Sequence, residues 1–428
     1  MIKVLTYGTF DLLHEGHINI LKRAKALGDY LLVGVTTENF DVTRGKINVK
    51  QSLMERIDAV KQTGLADEVF PEEYIGQKID DIKRHGVSIF VVGADWEGKF
   101  DYLNEYCKVV YLPRTEGISS TQLRCENILR IGAIGDDPVI LKLKKQCSLV
   151  NGVKMDCAYT NLKAKNDFSV NCNSLSGLYS ECDAVYVAVQ AEKRYESVKH
   201  ALLHGKHVIC ESPISCSKTQ TEELFKLADS KGLILFDSIK TAYSIAFSRL
   251  VLLVKSGVIG DVKAIDVTCT SLESYNWLKE TKYYSSFTGW GAVALLPVLK
   301  ILGTDFKESR GYSLDGEDIK DIFTKLTLVY KNAIATVNVG IGVKSEGDLR
   351  VSGTKGYIYA PAPWWKTGYF EIRYENAKDN KPYFYENEGE GLQTELVHFL
   401  RCVTDGKQNF YVEREISKVI SEIMEKQK

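Results

Sequence analysis

Residues 8 to 17 read Gly8-Thr9-Phe10-Asp11-Leu12-Leu13-His14-Glu15-Gly16-His17, so two imidazoles bracket a glycine. The run stands where an apolar stretch, Ile2 to Thr6, hands over to Ile18, Ile20, Leu21, Ala24 and Leu27 at helical spacing. Backbone N–H groups and the positive end of the helix dipole collect at such a junction, which makes it a place for phosphate. Far downstream comes a second basic and hydroxyl-rich turn, Arg114-Thr115-Glu116-Gly117-Ile118-Ser119-Ser120-Thr121. Arg44 and Lys46 lie between the two in a glycine-interrupted loop. Together these groups suit the phosphates of a nucleotide gripped from two sides.

Positioning them requires a sheet. Strand-like runs at Val4 to Tyr7, Tyr30 to Thr36, Glu68 to Phe70, Ile89 to Gly93 and Lys108 to Leu112 alternate with helix-like runs at 17–27, 51–63 and 76–85, and a further helix is predicted over 119–128. That alternation predicts an α/β domain with a doubly wound parallel sheet, whose ligand sits at the carboxyl ends of its strands. Gly8, Thr36, Gly93 and Pro113 each follow a strand, so the histidine turn, Arg44 with Lys46, Asp95 with Trp96, and the Arg114 turn share one rim.

Composition narrows the classes. The 428 residues call for two or three domains. Net charge is −1, and residues 1–128 hold 16 Lys and Arg against 19 Asp and Glu, so no basic field is available for nucleic acid. No apolar run is long enough to insert in a membrane and no leader-like segment opens the chain, which predicts a cytoplasmic protein. The ten cysteines are scattered without a Cys-x-x-Cys pair, as expected of reduced, mostly buried thiols.

Three segments, the histidine run, Gly93-Ala94-Asp95-Trp96-Glu97-Gly98-Lys99-Phe100-Asp101 and Arg114 to Thr121, resemble the glycerol-3-phosphate cytidylyltransferases of the HxGH nucleotidyltransferase superfamily, in order and over nearly all of residues 1–126. The resemblance implies CTP and a polyol phosphate as substrates, CDP-glycerol and pyrophosphate as products, and a place in capsule or teichoic-acid assembly. It implies catalytic roles for His14, His17, Lys46 and Arg114. Nucleotide and acceptor contacts are expected from Gly8, Thr9, Phe10, Asp11, Gly16, Arg44, Gly93, Asp95, Trp96, Thr115, Ile118, Ser119, Ser120 and Thr121, with Arg56 on the acceptor phosphate. It also implies Mg²⁺, for which Asp11 is the nearest carboxylate. A phosphate monoester, with a second pKa of about 6, is already largely a dianion near neutrality, so the nucleophile needs no general base. What the reaction asks of the protein is compensation of charge on the α-phosphoryl group. Gly64 stands where the family often has an arginine, which leaves glycerol 2-phosphate or a longer polyol phosphate beside the favoured glycerol 3-phosphate.

From residue 129 a second unit begins. Leu129 to Gly135, Val139 to Gln146, Cys182 to Val189, the helix 192–204, Gly205 to Pro213, the helix 217–231 and Leu233 to Phe236 resemble the nucleotide-binding half of the Gfo/Idh/MocA oxidoreductases. Leu250 to Val262 resembles the entry to that family's second half. There, alternating runs at 262–271, 322–330 and 333–341 predict a mostly antiparallel sheet with one helical face. The expected organisation is a cytidylyltransferase domain over 1–128, a second Rossmann-like domain over 129–245 and an α+β domain over 246–428.

The residues that would make this second unit a dehydrogenase are missing. Gly135-Asp136-Asp137-Pro138-Val139-Ile140 lacks two of the three glycines of a pyrophosphate turn and sets two carboxylates toward the pyrophosphate. Glu211-Ser212-Pro213 replaces the family's Glu-Lys-Pro, and Gly291 to Leu299 offers no acid or base. NAD(P) is therefore not expected, and the unit reads as an inactive relative serving assembly, as a homodimer or higher homo-oligomer, or substrate binding. Competing readings are a bifunctional reductase-cytidylyltransferase and a nucleotide-sensing scaffold. His200, His204 and His207, and the aromatic stretch from Pro361 to Trp365 with Tyr369, Tyr374, Tyr383 and Tyr385, are expected to be structural.

Overall fold

Val4 and Leu5, neighbours on the first strand, are both fully buried, and so are Leu31, Leu32 and Val33 on the second. Side chains on successive strand residues point to opposite faces, so these strands are covered on both sides, as parallel sheets require. The computed structural model describes residues 1–37, 51–73, 76–113, 128–162, 167–272, 285–317, 321–385 and 388–427. Contacts divide the chain into two units, residues 1–128 with 149–152, and residues 129–148 with 153–428.

In the first unit, β1 (Lys3–Gly8), α1 (Glu15–Lys25), β2 (Tyr30–Thr36), α2 (Leu53–Gln62), β3 (Glu68–Glu72), α3 (Gln77–His85), β4 (Ile89–Gly93) and β5 (Lys108–Leu112) follow in order. The strands form one parallel sheet ordered β3-β2-β1-β4-β5. Val4, Val33 and Val91 pack with Leu21 and Ala24 of α1 and Ile57 and Val60 of α2, while Leu5, Leu32 and Phe90 face Ile82 of α3 with Phe100 and Leu103. Each such fully buried aliphatic side chain contributes about 1.5–3 kcal/mol. Local signals agree with the packing. α2 opens on a capping box between Ser52 and Glu55, and α3 stops at Gly86, whose φ of 63° suits a residue without Cβ.

The second unit begins with β6 (Leu129–Ile134), α4 (Val139–Cys147), β7 (Val153–Tyr159), β8 (Val170–Asn171), α5 (Leu175–Glu181), β9 (Ala184–Val187), α6 (Ala191–Leu203), β10 (His207–Glu211), α7 (Lys218–Ser230) and β11 (Leu235–Ser238). These six strands form a parallel sheet ordered β11-β10-β9-β6-β7-β8. The chain continues through α8 (Ile245–Lys255), β12 (Val262–Ser271), α9 (Ser286–Leu302), β13 (Glu308–Leu314), β14 (Phe323–Val329), β15 (Ile334–Ile341), β16 (Leu349–Gly353), β17 (Tyr357–Ala360), β18 (Tyr369–Arg373), β19 (Lys381–Phe384), α10 (Leu392–Asp405) and α11 (Arg414–Lys426).

The third sheet, β13-β14-β15-β12-β16-β17-β18-β19, has one parallel pair, β12 with β15, and is otherwise antiparallel. Its inner face lies on α9, which is apolar nearly all round and buried from Gly291 to Leu299 except at Val293. The mixed α/β architecture and the mostly antiparallel third sheet match the expectation. β13 and the four short strands β16 to β19 were not foreseen. The aromatic stretch belongs with them: Trp364 is buried and its indole N–H donates to the Thr268 carbonyl at 3.2 Å. The three histidines are likewise engaged within the fold, His200 with the Tyr179 hydroxyl, His204 with the His200 carbonyl, and His207 accepting from the Ile234 N–H.

Candidate active site

The turn after β1 is built against backbone preference. Phe10 and Leu12 both sit in the left-handed region, with φ of 52° and 47°, a conformation that costs a non-glycine residue about 1 kcal/mol or more and concentrates at functional turns. Partners hold it there. The Leu12 N–H donates to Gln51 Oε1 at 2.7 Å, and the buried Asp11 carboxylate accepts the Gln51 N–H at 3.0 Å. Thr9 is nearly buried, and a Cβ on Gly8 would stand 3.0 Å from the Phe10 ring.

His14 is the N-cap of α1, its Nδ1 accepting the Gly16 N–H at 3.1 Å. An accepting Nδ1 places the proton of the neutral ring on Nε2. The His17 ring stacks on His14 with centroids 3.9 Å apart and meets Phe10 edge-on at 5.5 Å. The spacing of three residues puts both imidazoles on the first turn of one helix, side by side at its positive end.

Arg56 lies in α2 and is fully buried. Its Nη1 donates to the carbonyls of Thr9 at 2.9 Å and Thr36 at 2.8 Å, and its Nε to Gln51 at 3.1 Å. The resemblance gave this arginine to the acceptor phosphate; here its guanidinium ties the histidine turn to the end of β2. Gly93 ends β4 and leads into a 3-10 turn, Ala94–Trp96, which includes Asp95. The Trp96 ring packs on Phe100 at 5.9 Å, with Lys99 over its face at 5.0 Å. Arg44, Lys46, Arg114, Thr115, Ile118, Ser119, Ser120 and Thr121, and the helix predicted over 119–128 apart from its last residue, lie outside the described residues. Arg23 Nη1 donates to the Pro113 carbonyl at 2.8 Å, which ties α1 to the point where the chain leaves β5 toward the Arg114 turn.

One polar group on the rim escaped the sequence. Lys78, only 4% exposed, pairs with the fully buried Glu72, which also accepts the Thr36 hydroxyl at 3.0 Å. The ammonium lies over the Tyr7 ring at 4.6 Å, and the Tyr7 hydroxyl donates to Asp81 at 2.6 Å. The available signal was periodic: Lys78 and Asp81 share the inward side of α3 with Ile82.

Asp11 does not fit a resident metal ion, since its carboxylate is turned inward to the Gln51 amide, and among the described residues no three His, Cys, Asp or Glu side chains are grouped as metal ligands.

In the second unit, both carboxylates of the β6 turn accept backbone N–H groups. Asp137 accepts the Val139 N–H at 2.8 Å at the start of α4, and Asp136 accepts the Asn161 N–H at 2.6 Å beyond β7. Gly135 alone is irreplaceable there, since a Cβ would lie 2.1 Å from the Ala188 carbonyl oxygen. The positive charge missing from Ser212 is supplied from elsewhere. Lys240, just past β11, stands 3.3 Å from Glu211, which also accepts the Tyr186 hydroxyl. Burial lowers the Lys240 pKa, but Glu211 and Glu395 outweigh it and hold the ammonium above its ordinary value. Burial pushes Glu395 up to about 8 and Asp237 up to about 6.

Residues 5–126 match the Cytidylyltransferase-like family model. The chain is 52% identical to glycerol-3-phosphate cytidylyltransferase of Bacillus spizizenii over 124 residues, 29% of this chain and 95% of that protein. Through its N-terminal unit, the chain belongs to this family. It is accordingly a nucleotidyltransferase. The Staphylococcus aureus glycerol-3-phosphate cytidylyltransferase is 45% identical over 29% of this chain and 95% of its own length. Residues 147–238 match the Oxidoreductase family, NAD-binding Rossmann fold, a match that begins after the Gly135 turn. A putative NADPH-dependent oxidoreductase from Desulfitobacterium hafniense superimposes on 70% of this chain and 94% of its own with a TM-score of 0.61 at 16% identity, a likeness of fold. Among the described residues no helix is long and apolar enough to cross a membrane.

Proposed function

We propose that this cytidylyltransferase couples CTP to a polyol phosphate, with glycerol 3-phosphate the favoured acceptor, in the cytoplasm and for polymers of the capsule or teichoic-acid type. The observation that carries the acceptor is the 52% identity to a glycerol-3-phosphate cytidylyltransferase across nearly all of that protein. The acceptor dianion attacks the α-phosphorus of CTP; a phosphate oxygen–phosphorus bond forms, the α–β bridging bond breaks, and pyrophosphate leaves with the electron pair. His14 and His17 donate hydrogen bonds to the α-phosphoryl oxygens as charge builds. Lys46 and Arg114, with the hydroxyls of Ser119, Ser120 and Thr121, hold the departing β- and γ-phosphates. A pyrophosphate-release screen with CTP tests the reading, using glycerol 3-phosphate, glycerol 2-phosphate and ribitol 5-phosphate. Glycerol 3-phosphate is expected to give the highest kcat/KM. Release with none of them would leave the nucleotide-sensing scaffold as the better account.

The second unit serves assembly or substrate binding without redox chemistry. Asp136 and Asp137 on their backbone partners, and the lack of an acid or base from Gly291 to Leu299, favour this. A half-exposed cross-strand row on the third sheet, Thr327, Thr336, Asp266, Arg350, Tyr359 and Glu371, offers a surface for a second copy. One observation favours the reductase alternative: Lys240 brings an ammonium to Glu211 despite the loss at Ser212. Titration with NADH and NADPH separates the two. No binding up to millimolar cofactor is expected; micromolar binding, with turnover of an aldehyde or ketone phosphate lost in Lys240→Met, would establish a bifunctional enzyme.

A further inference from the structure

A cleft of about 220 Å³ opens between the second half of α10 and the loop that leads to α11, lined by His398, Arg401, Cys402, Lys407, Phe410 and Tyr411 among others. Its rings are set rigidly. Phe410 and Tyr411 stack at 4.4 Å, and His398 meets Phe410 edge-on at the same separation. Asn409 locks the loop by donating to the Tyr243 hydroxyl at 2.7 Å while accepting the N–H groups of Tyr411 at 3.0 Å and Val412 at 3.3 Å. Lys300 adds a bond to the Phe410 carbonyl at 3.1 Å. A loop fixed this firmly nevertheless leaves Phe410 61% exposed. A large ring held open to water gains most when something flat covers it.

The charge beside the rings is net positive, with Arg401 and Lys407 against Asp405. Arg401 is exposed at the cleft, and its guanidinium makes no ion pair or hydrogen bond among the described residues. Lys407 is neutralised by Asp405 at 3.3 Å. Burial, reinforced by the Arg401 charge, brings His398 down to about 4, so its ring is neutral and the lining carries one net positive charge near pH 7. The volume equals that of roughly seven molecules of liquid water and falls short of the ~300 Å³ at which pockets for larger ligands begin. One six-membered ring with its acid group fills it.

We propose that this cleft is a binding site for a small planar aromatic or heteroaromatic carboxylate, its ring against Phe410 and Tyr411 and its carboxylate on the Arg401 guanidinium. Planar bidentate pairing is the interaction an otherwise unpaired arginine makes best with such an anion. The site lies wholly in the second unit and is independent of the transfer reaction.

The test titrates benzoate, nicotinate and orotate into the full-length protein, read by saturation-transfer NMR and calorimetry. At least one ring carboxylate is expected to bind, with cyclohexanecarboxylate and benzamide, which lack the flat ring and the charge respectively, weaker by about tenfold or more. Arg401→Gln and Phe410→Ala should each weaken binding by about tenfold or more, while thermal melting shows the fold retained, because both side chains are exposed. Absence of binding by all three probes, equal binding of the two controls, or unchanged affinity in Arg401→Gln would each overturn the proposal. Pyrophosphate release assayed on the same preparations reports separately on the transferase.

Discussion

Replacing His14 or His17 with alanine is expected to lower kcat for CDP-polyol formation by at least about 10²-fold, with KM for CTP changed far less, because a donor to developing charge acts mainly in the transition state. The geometry fixes which proton His14 would offer in that proposed role. Its Nδ1 is occupied by the Gly16 N–H, so the neutral ring already presents a proton on Nε2. Deprotonation of an imidazolium at rising pH would therefore not remove the donor, and the acceptor, as a dianion, grows more nucleophilic. The rate should hold or rise from pH 6 to 8 rather than fall as a required imidazolium would demand. His14→Ala also removes a helix cap worth about 1 kcal/mol, so unfolding must be measured alongside. His17→Ala has no such capping role and serves as the cleaner test. The two losses should combine less than additively, since the rings stack 3.9 Å apart and in the proposed mechanism act on one group. Unchanged product formation in either variant would remove the histidines from the mechanism.

How much of this could be read from the chain depends on the range of the interaction. Most parallel strands were legible because burial on both faces forces continuous apolar runs, as in Leu31 to Val35, and β12, β14 and β15 because one covered face forces alternation; β7, whose burial alternates, and the two-residue β8 were not. β17 also alternates, with Ile358 and Ala360 inward and Tyr357 and Tyr359 half-exposed, but its four residues are too few for the pattern to stand out among aromatics. The histidine turn was legible because cap, glycine and imidazoles are contiguous. Charges that meet only in three dimensions were not. Nothing local joins Lys240 to Glu211, Lys78 to Glu72 or Asp136 to the Asn161 N–H. Arginines are hardest, since an arginine near a phosphate site reads the same whether its fork meets the ligand or the backbone.

Arg56 decides that question for this fold. As a brace it satisfies the buried bonds to the Thr9 and Thr36 carbonyls and a part-buried one to Gln51, and so fixes the strained turn that carries His14 relative to β2. Arg56→Met keeps the length and apolar stem but strands those oxygens, and a lost charged hydrogen bond costs roughly 1.5–3 kcal/mol. With partial relaxation, the N-terminal unit should lose about 4 kcal/mol, seen as a lower denaturant midpoint. Arg56→Lys keeps the charge without the planar fork, and one ammonium cannot span carbonyls on both sides. It should therefore lose most of the same stability. The two roles then separate in kinetics. A brace shifts kcat and the apparent affinities for CTP and acceptor together, because it moves the whole turn. A phosphate ligand would instead raise KM for the polyol phosphate selectively, leave the denaturant midpoint near that of the parent, and be partly rescued by lysine. Selective acceptor loss at parental stability would return Arg56 to the substrate.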